Sequence, residues 1–161
     1  MGKKNSTSRR TRRPAASDAP DELVSPLANS PGFLFRLAQV RAFDGFHRYF
    51  AGLGVTPTSF SVFALIVANP GIRPGVIADE LLVKPSNVAA LVNALVAAKL
   101  VVRRRDAAEL RASRLHPTKA GSKAHREMFR VHLETDALLL RHLTEAERAK
   151  LVLLLQKLLQ R

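Results

Sequence analysis

The densest group of chemically active side chains in this sequence is a cluster of arginines within twelve residues: Arg103, Arg104, Arg105, Arg111 and Arg114. Asp106 and Glu109 are the only acidic residues within the cluster, and Glu109 can orient Arg111 through a charge-assisted hydrogen bond. A guanidinium group is always charged and matches the geometry of phosphate. On a narrow hairpin, such groups reach the minor groove of DNA, where the potential is most negative. We therefore predict DNA contacts here, with a solvated charged hairpin as the alternative.

The segment just before this cluster adds a set of candidate DNA-contacting residues: Lys84, Ser86, Asn87, Ala90 and Asn93. Hydroxyl, amide and backbone N–H groups in the first turn of a helix can bind phosphate. Asn93 is polar on an otherwise apolar helix, and small alanine side chains can contact thymine methyl groups. The alternative is that Ser86 and Asn87 only cap the helix.

Other chemistries find little support in the sequence. The chain has no cysteine, which excludes disulfides, thiolate zinc sites and cysteine redox switches. No two of its five histidines have the i, i+4 spacing of a helical metal site, although His125 and His132 lie two turns apart. There is no glycine-rich phosphate loop, nucleophile elbow or paired-carboxylate pattern. We predict a protein that is not an enzyme, with no catalytic residue, metal or cofactor.

The elements that must position these residues follow from hydrophobic spacing and from helix start signals. Thr56 and Pro57 are an N-cap and a first helical residue, and Thr144 and Glu147 form a capping box. The predicted order is helix 32–50, a helix from 57, short helices 74–82 and 85–99, strands 101–105 and 111–116, a helix from 118 to about 142, and a helix from 144. Two tightly joined short helices followed by a basic hairpin form a winged helix-turn-helix, whose second helix enters the major groove. The predicted fold is mainly α with a small β-hairpin wing.

The last predicted helix is apolar on nearly every side, with Val152 and Leu153 widening its main stripe of leucines: Leu151, Leu154, Leu155, Leu158 and Leu159. Such a helix must be buried. In a chain of 161 residues, burial at a subunit interface is the simplest solution. We therefore predict a homodimer.

The formal net charge of +13 indicates a polyanionic partner, with nucleic acid first and an anionic membrane surface second. Residues 1–30, rich in Arg, Ser and Pro, are predicted to be a disordered basic tail that either follows DNA phosphates or is simply solvated.

Residues 31–161 are predicted to form one domain. No window approaches the ~20 apolar residues of a membrane span, and no secretory signal is visible. These features predict a cytoplasmic protein with no membrane partner.

From Val55 to Gly121 the sequence resembles the multiple-antibiotic-resistance regulator (MarR) family. The resemblance is carried by short motifs in order: Val55-Thr56-Pro57, Asn69-Pro70-Gly71, Ile77-Ala78-Asp79-Glu80-Leu81, Ser86-Asn87-Val88, Arg103-Arg104, Glu109-Leu110-Arg111, and Thr118 with Gly121. It departs from the family at Ala89 and Ala90, where members often carry arginine, and at Lys99, where glycine is usual. The resemblance implies a winged helix-turn-helix at 56–116 and dimerisation helices at 31–51 and 117–161.

The resemblance also implies a small-molecule effector, a phenolic or aromatic acid or its CoA thioester, held between the first two helices and the long helix. The candidate effector-binding residues are Arg41, Phe46, His47, Arg48, Phe60 and Phe63. Arg41 or Arg48 would pair with the acid or with the phosphates of the thioester. The alternative is that the aromatic residues are core and the arginines are surface residues.

The function predicted from the sequence is that of a ligand-responsive repressor, a homodimer on double-stranded DNA with a pseudopalindromic operator. A rival is a sequence-neutral architectural DNA-binding protein, which the alanine-rich helix and the basic tail favour. A second rival is a module whose basic surface binds an acidic protein or RNA.

Overall fold

A computed structural model describes residues 25–52, 54–105 and 113–160. The order of elements is α1 (Pro31–Tyr49), α2 (Pro57–Ala68), α3 (Pro74–Leu81), α4 (Pro85–Ala97), β1 (Val101–Arg105), β2 (Ser113–Pro117), α5 (Lys119–Leu139) and α6 (Glu145–Leu158). The predicted fold class is confirmed. The long helix ends three residues earlier than predicted. Most of the predicted tail, the first two residues of the predicted second strand, and Glu109 with Arg111 of the predicted wing lie outside the described residues.

Local signals set the starts of the helices. The Thr56 hydroxyl accepts a hydrogen bond from the Ser59 backbone N–H, and the Ser59 hydroxyl accepts one from the Thr56 N–H. At the start of α6, the Thr144 N–H donates to a carboxylate oxygen of Glu147 at 2.8 Å. These bonds to Thr144 lower the pKa of Glu147, because they stabilise its charged form. Both predicted caps are confirmed.

The main core fixes α4 against α2, α3 and the hairpin. Its buried residues are Val62, Phe63, Ile66, Ile77, Ala78, Val88, Val92, Val101 and Leu115. Between α3 and α4 the chain turns at Leu82, whose φ of 53° is left-handed, and the Val83 N–H donates to the Ala78 carbonyl at 3.0 Å. This tight turn lets two short helices pack as a helix-turn-helix.

The hairpin has two chemically different faces. Its register pairs Val101 with Pro117, Arg103 with Leu115, and Arg104 with Arg114. Because alternate residues of a strand point to opposite faces, Arg103 shares its face with the buried Val101 and Leu115. Arg104 and Arg114 lie on the other face, so the arginines of the wing are not equivalent.

A second cluster joins α1, α2 and α5. Phe46 and Phe50 stack at a centroid distance of 4.1 Å, and both contact Phe60 on α2. All three rings are buried. Phe46 and Phe60, together with Phe63 in the main core, therefore pack as core aromatics, as in the alternative interpretation of the effector-binding set.

Two histidines of α5, His125 and His132, surround the Phe60 ring. The His125 ring stacks on Phe60, meets Phe63 edge-on, and has no hydrogen-bond partner for its buried Nε2 within the described chain. Burial lowers the pKa of His125, because the cation loses its hydration. His132 contacts Phe60 at 4.9 Å and lies 3.5 Å from an Asp136 oxygen.

The lowered pKa of His125 predicts that acid destabilises the fold. The unfolded chain binds this proton more tightly, so stability is lost as the pH falls below about 6.5, the usual histidine pKa. We expect His125→Leu to show a smaller loss of melting temperature between pH 7.5 and 5.5 than the wild type. The exposed His47→Gln is the control and should keep the wild-type pH dependence. Equal pH dependence in all three proteins would contradict the assignment.

The helix α6 is the least packed element. None of its residues is buried, and its Val152, Leu153, Leu154 and Leu158 are exposed to between 49% and 65%. On α1, large apolar side chains are also exposed: Leu34, Phe35, Leu37, Val40 and Phe43. Across the described ranges, no helix is long and apolar enough to pass through a bilayer.

Candidate nucleic-acid interface

The helix α4 presents a smooth exposed stripe to solvent. Val88 and Val92 are buried, whereas Ser86, Ala90 and Asn93 are exposed at successive turns of the opposite side. The side chains of this stripe are short, so the helix backbone can come close to the base edges of a major groove. The stripe has the shape of a recognition surface.

The first turn of α4 offers free polar groups. The N-cap residue Lys84 makes no capping bond with its side chain, and the Asn87 N–H donates to the Lys84 carbonyl at 2.9 Å. The side chains of Ser86 and Asn87 form no hydrogen bond with any other described residue. They do not cap the helix, and their donors remain available for phosphate.

One flank of the stripe is the N-terminus of α2. A groove of about 320 Å³ separates the two helices and is lined by Thr56, Thr58, Asn87, Ala90 and Leu91. The sequence interpretation missed Thr58, because a threonine in a first turn is indistinguishable from a residue that only supports the cap. The structure places its exposed side chain beside Asn87.

The other flank of the stripe is the strand β1. An Nη2 N–H of Arg103 donates to Oδ1 of Asn93 at 2.8 Å, which joins the wing to the recognition helix. Arg104 and Arg105 are exposed. Lys84 at the start of α4 and Arg103 beside Asn93 therefore place positive charge at the edges of the stripe, as a surface that meets phosphates requires.

Arg114 has a different role. Its Nη1 donates to the Gly71 carbonyl at 3.1 Å, and its side chain is half-buried, so it fastens β2 to the turn before α3. Gly71 has a φ of +94°, which favours glycine.

Lys99, just before β1, also has a positive φ of 58°, which explains why a glycine is usual at this position. This left-handed turn sets the angle at which β1 leaves α4.

A second concave site lies between α1 and α5. It has a volume of about 690 Å³, and its lining residues are Arg41, Ala42, Asp44, Gly45, Arg48, Tyr49, Thr135, Leu138, Leu139, Arg141 and His142. A Cβ on Gly45 would stand 3.2 Å from the Thr135 methyl, so this glycine lets the two helices approach. Of the candidate effector-binding residues, the structure brings Arg41 and Arg48 to this groove. His47 is exposed outside it.

A helix-turn-helix with an exposed recognition stripe and a basic wing defines a winged-helix DNA-binding protein. The MarR family model matches residues 53–112. A putative transcriptional regulatory protein for the hcr operon of Thauera aromatica is 31% identical over 147 residues, which is 91% of this chain and 89% of that protein. The chain belongs to the MarR family, and it is a DNA-binding transcription regulator rather than an enzyme.

Solved structures agree with this assignment. The transcriptional repressor CouR, bound to a 23-mer DNA duplex, superposes with a TM-score of 0.79 and 29% identity over 85% of this chain and 98% of CouR. PcaV of Streptomyces coelicolor, in complex with its natural ligand, has a TM-score of 0.76 and 23% identity over 86% of this chain and 98% of PcaV. At 23% identity, the similarity to PcaV shows that the two proteins share a fold.

Proposed function

We propose that this regulator is a homodimeric repressor that binds a pseudopalindromic operator and leaves it when an organic anion binds. The observation that carries the proposal is the exposed stripe of α4, flanked on one side by the N-terminus of α2 and on the other by Arg103. Residues 56–116 form the DNA-binding lobe in this proposal, and 31–51 and 117–161 form the dimerisation region. The site of action is the cytoplasm.

Each DNA-contacting group has a separate role in the proposal. Ser86, Asn87 and Lys84 bind phosphate at the start of α4, and Ala90 meets the base edges. Arg105 and Arg111 would reach the flanking minor groove, and Glu109 would orient Arg111. Arg114, which also bonds Gly71, supports the base of the wing and adds to the local positive field.

The stripe carries few long polar side chains, and this composition is also compatible with a sequence-neutral architectural protein. One experiment separates the two functions. The affinity of the full chain is measured for a duplex that it selects from a random pool, and for an unrelated duplex of the same length, at several salt concentrations. A specific repressor prefers the selected duplex by a factor on the order of a thousand at physiological salt. Equal affinities would favour the architectural function.

Support for the homodimer comes from the apolar residues that α1 and α6 expose. An apolar surface of this extent on one chain is characteristic of an interface. We expect a dimer in solution, since Leu154 and Leu158 on α6 are each more than half exposed. Leu154→Glu with Leu158→Glu should give a monomer of weakened DNA affinity, by analytical ultracentrifugation and titration. A wild-type monomer would contradict the proposal.

The groove between α1 and α5 supports an anionic effector. Its lining combines the apolar residues Ala42, Leu138 and Leu139 with three arginines and the single acid Asp44. Its volume falls within the range of ligand pockets, roughly 300–1,000 Å³. An aromatic carboxylate, or the phosphates of an acyl-CoA thioester, matches a lining that is both apolar and cationic. Binding would shift the protein towards a state whose two lobes do not fit the operator.

The effector proposal predicts which substitution uncouples release from binding. With benzoate and benzoyl-CoA as probes, Arg48→Met should raise the ligand concentration needed for release roughly tenfold, the effect of one charge-assisted bond. Operator affinity without ligand should stay unchanged. Arg130→Met, exposed on α5 and paired with Glu134, is the control and should respond as the wild type does. Release of both variants at the same concentration would contradict the proposal.

A further inference from the structure

The contact between Asn93 and Arg103 joins the two parts of the interface. Asn93 belongs to the exposed stripe of α4, and Arg103 belongs to the face of β1 that packs towards the domain core. The distance from Nη2 to Oδ1 is 2.8 Å, within the range of a well-formed hydrogen bond. Both side chains are exposed, so neither is held by the core.

The atoms used in this bond limit what Asn93 can do. Reading adenine takes both ends of the amide, since Oδ1 must accept from the base while Nδ2 donates to it. Here Oδ1 already accepts from Arg103. An amide oxygen accepts up to two hydrogen bonds, so a paired contact with adenine that kept this bond would hold the guanidinium group at the base edge instead of at the DNA backbone.

Arg103 keeps most of its donors. A guanidinium group carries five N–H groups in a rigid plane, and the bond to Asn93 uses one of them. That bond removes freedom from a long side chain before DNA arrives, which lowers the entropic cost of binding. The remaining donors lie at the junction of α4 and the wing, where a DNA backbone would pass if α4 occupied a major groove.

We infer that Asn93 acts on DNA through Arg103: its amide oxygen holds the guanidinium group beside the recognition helix, where Arg103 binds a backbone phosphate. Asn93 is thus a positioning residue rather than a base-reading one. This inference rests on the proposed function, because it requires α4 to lie in a groove. It predicts that the two residues form one energetic unit.

A double-mutant cycle tests the pair. Asn93→Ala, Arg103→Ala and the double variant are titrated with the duplex selected by the wild-type protein, over a range of salt concentrations. We expect each single variant to bind roughly tenfold more weakly. The double variant should bind no more weakly than Arg103→Ala, because coupled residues are not additive. Both single variants should lose about 0.9 from the slope of log affinity against log salt, the share of one phosphate.

The matched control is Asn87→Ala, another exposed asparagine of α4, which lies on the side that faces α2. It forms no hydrogen bond to any described side chain, so its effect should add to that of Arg103→Ala. Base preference, measured on duplexes with single substitutions, should stay the same in Asn93→Ala. Additive losses for Asn93 and Arg103, or an unchanged salt slope with altered base preference in Asn93→Ala, would overturn the inference.

The same titrations separate this inference from the proposed function. If the wild-type protein binds selected and unrelated duplexes equally, the proposed function fails, and the inference fails with it. If the wild type binds specifically but the cycle is additive, only the role of Asn93 fails. Thermal unfolding of each variant, monitored by circular dichroism, should match that of the wild type, because both side chains are exposed.

Discussion

Ala90→Glu is expected to lower the affinity for the selected duplex by at least about a hundredfold while leaving the fold intact. Ala90 stands at the centre of the exposed stripe of α4, where the helix backbone would lie nearest to the bases. A glutamate there adds bulk and brings a negative charge towards the phosphates, and like charges across an interface cost several kcal/mol. Glutamate is a good helix former, so the helix itself tolerates it.

The measurement is a titration of the selected duplex, with unfolding followed in parallel. Ala68→Glu is the matched control, since Ala68 is exposed at the far end of α2, ten residues and about 15 Å along that helix from Thr58. It should bind nearly as tightly as the wild type. If Ala90→Glu bound no more weakly than this control, α4 would not lie in the groove.

Gly121→Ala is expected to destabilise the protein by about 3 kcal/mol, the upper range for overpacking a tight site. Gly121 is buried in the first turn of α5, where its N–H donates to the Thr118 hydroxyl. A Cβ would overlap the carbonyl oxygen of Leu100 and stand 2.9 Å from its carbonyl carbon. The atoms in the way belong to the backbone of Leu100, and the Leu100 carbonyl accepts a hydrogen bond from the Thr118 N–H. Neither Leu100 nor the start of α5 can therefore move away easily.

Chemical denaturation at a fixed pH measures this loss. Gly75→Ala is the control, because Gly75 lies in α3 and a Cβ there meets nothing within 4 Å. Replacing a helical glycine with room for a methyl group should raise stability by roughly 0.5–1 kcal/mol. Equal stability of Gly121→Ala and the wild type would show that α5 does not approach Leu100 as closely as described.

Local signals made most of the fold predictable. Thr56 and Thr144 mark helix starts through bonds that span three residues. The end of α5 at Leu139 was predicted three residues too late, because His142 and its neighbours continue the helical pattern without a breaking residue. The left-handed backbone conformation of Lys99 was not predictable, because nothing in a lysine residue itself indicates a positive φ.

The site was predictable only in part, because pairings between elements depend on how helices cross. The sequence placed Asn93 and Arg103 in the interface, but nothing in a spacing of ten residues shows that they bond each other. The groove between α1 and α5 depends on the contact of Gly45 with Thr135, which are ninety residues apart. Phe46 and Phe60 have the spacing of both a pocket wall and a core, and the structure places them in the core.

The most direct test of the account maps the position of α4 on DNA. The chain has no cysteine, so Ala97→Cys gives a single attachment point for an iron–EDTA cleavage reagent. Ala97 is exposed two turns beyond Ala90 on the same face of α4, so the reagent leaves the centre of the stripe clear. On the selected duplex, we predict two clusters of cleavage related by the operator's symmetry and about one helical turn apart. The same reagent at Ala68→Cys should leave these positions uncut. Cleavage that is absent from the Ala97 probe, or identical for both probes, would contradict a recognition helix at Pro85–Ala97.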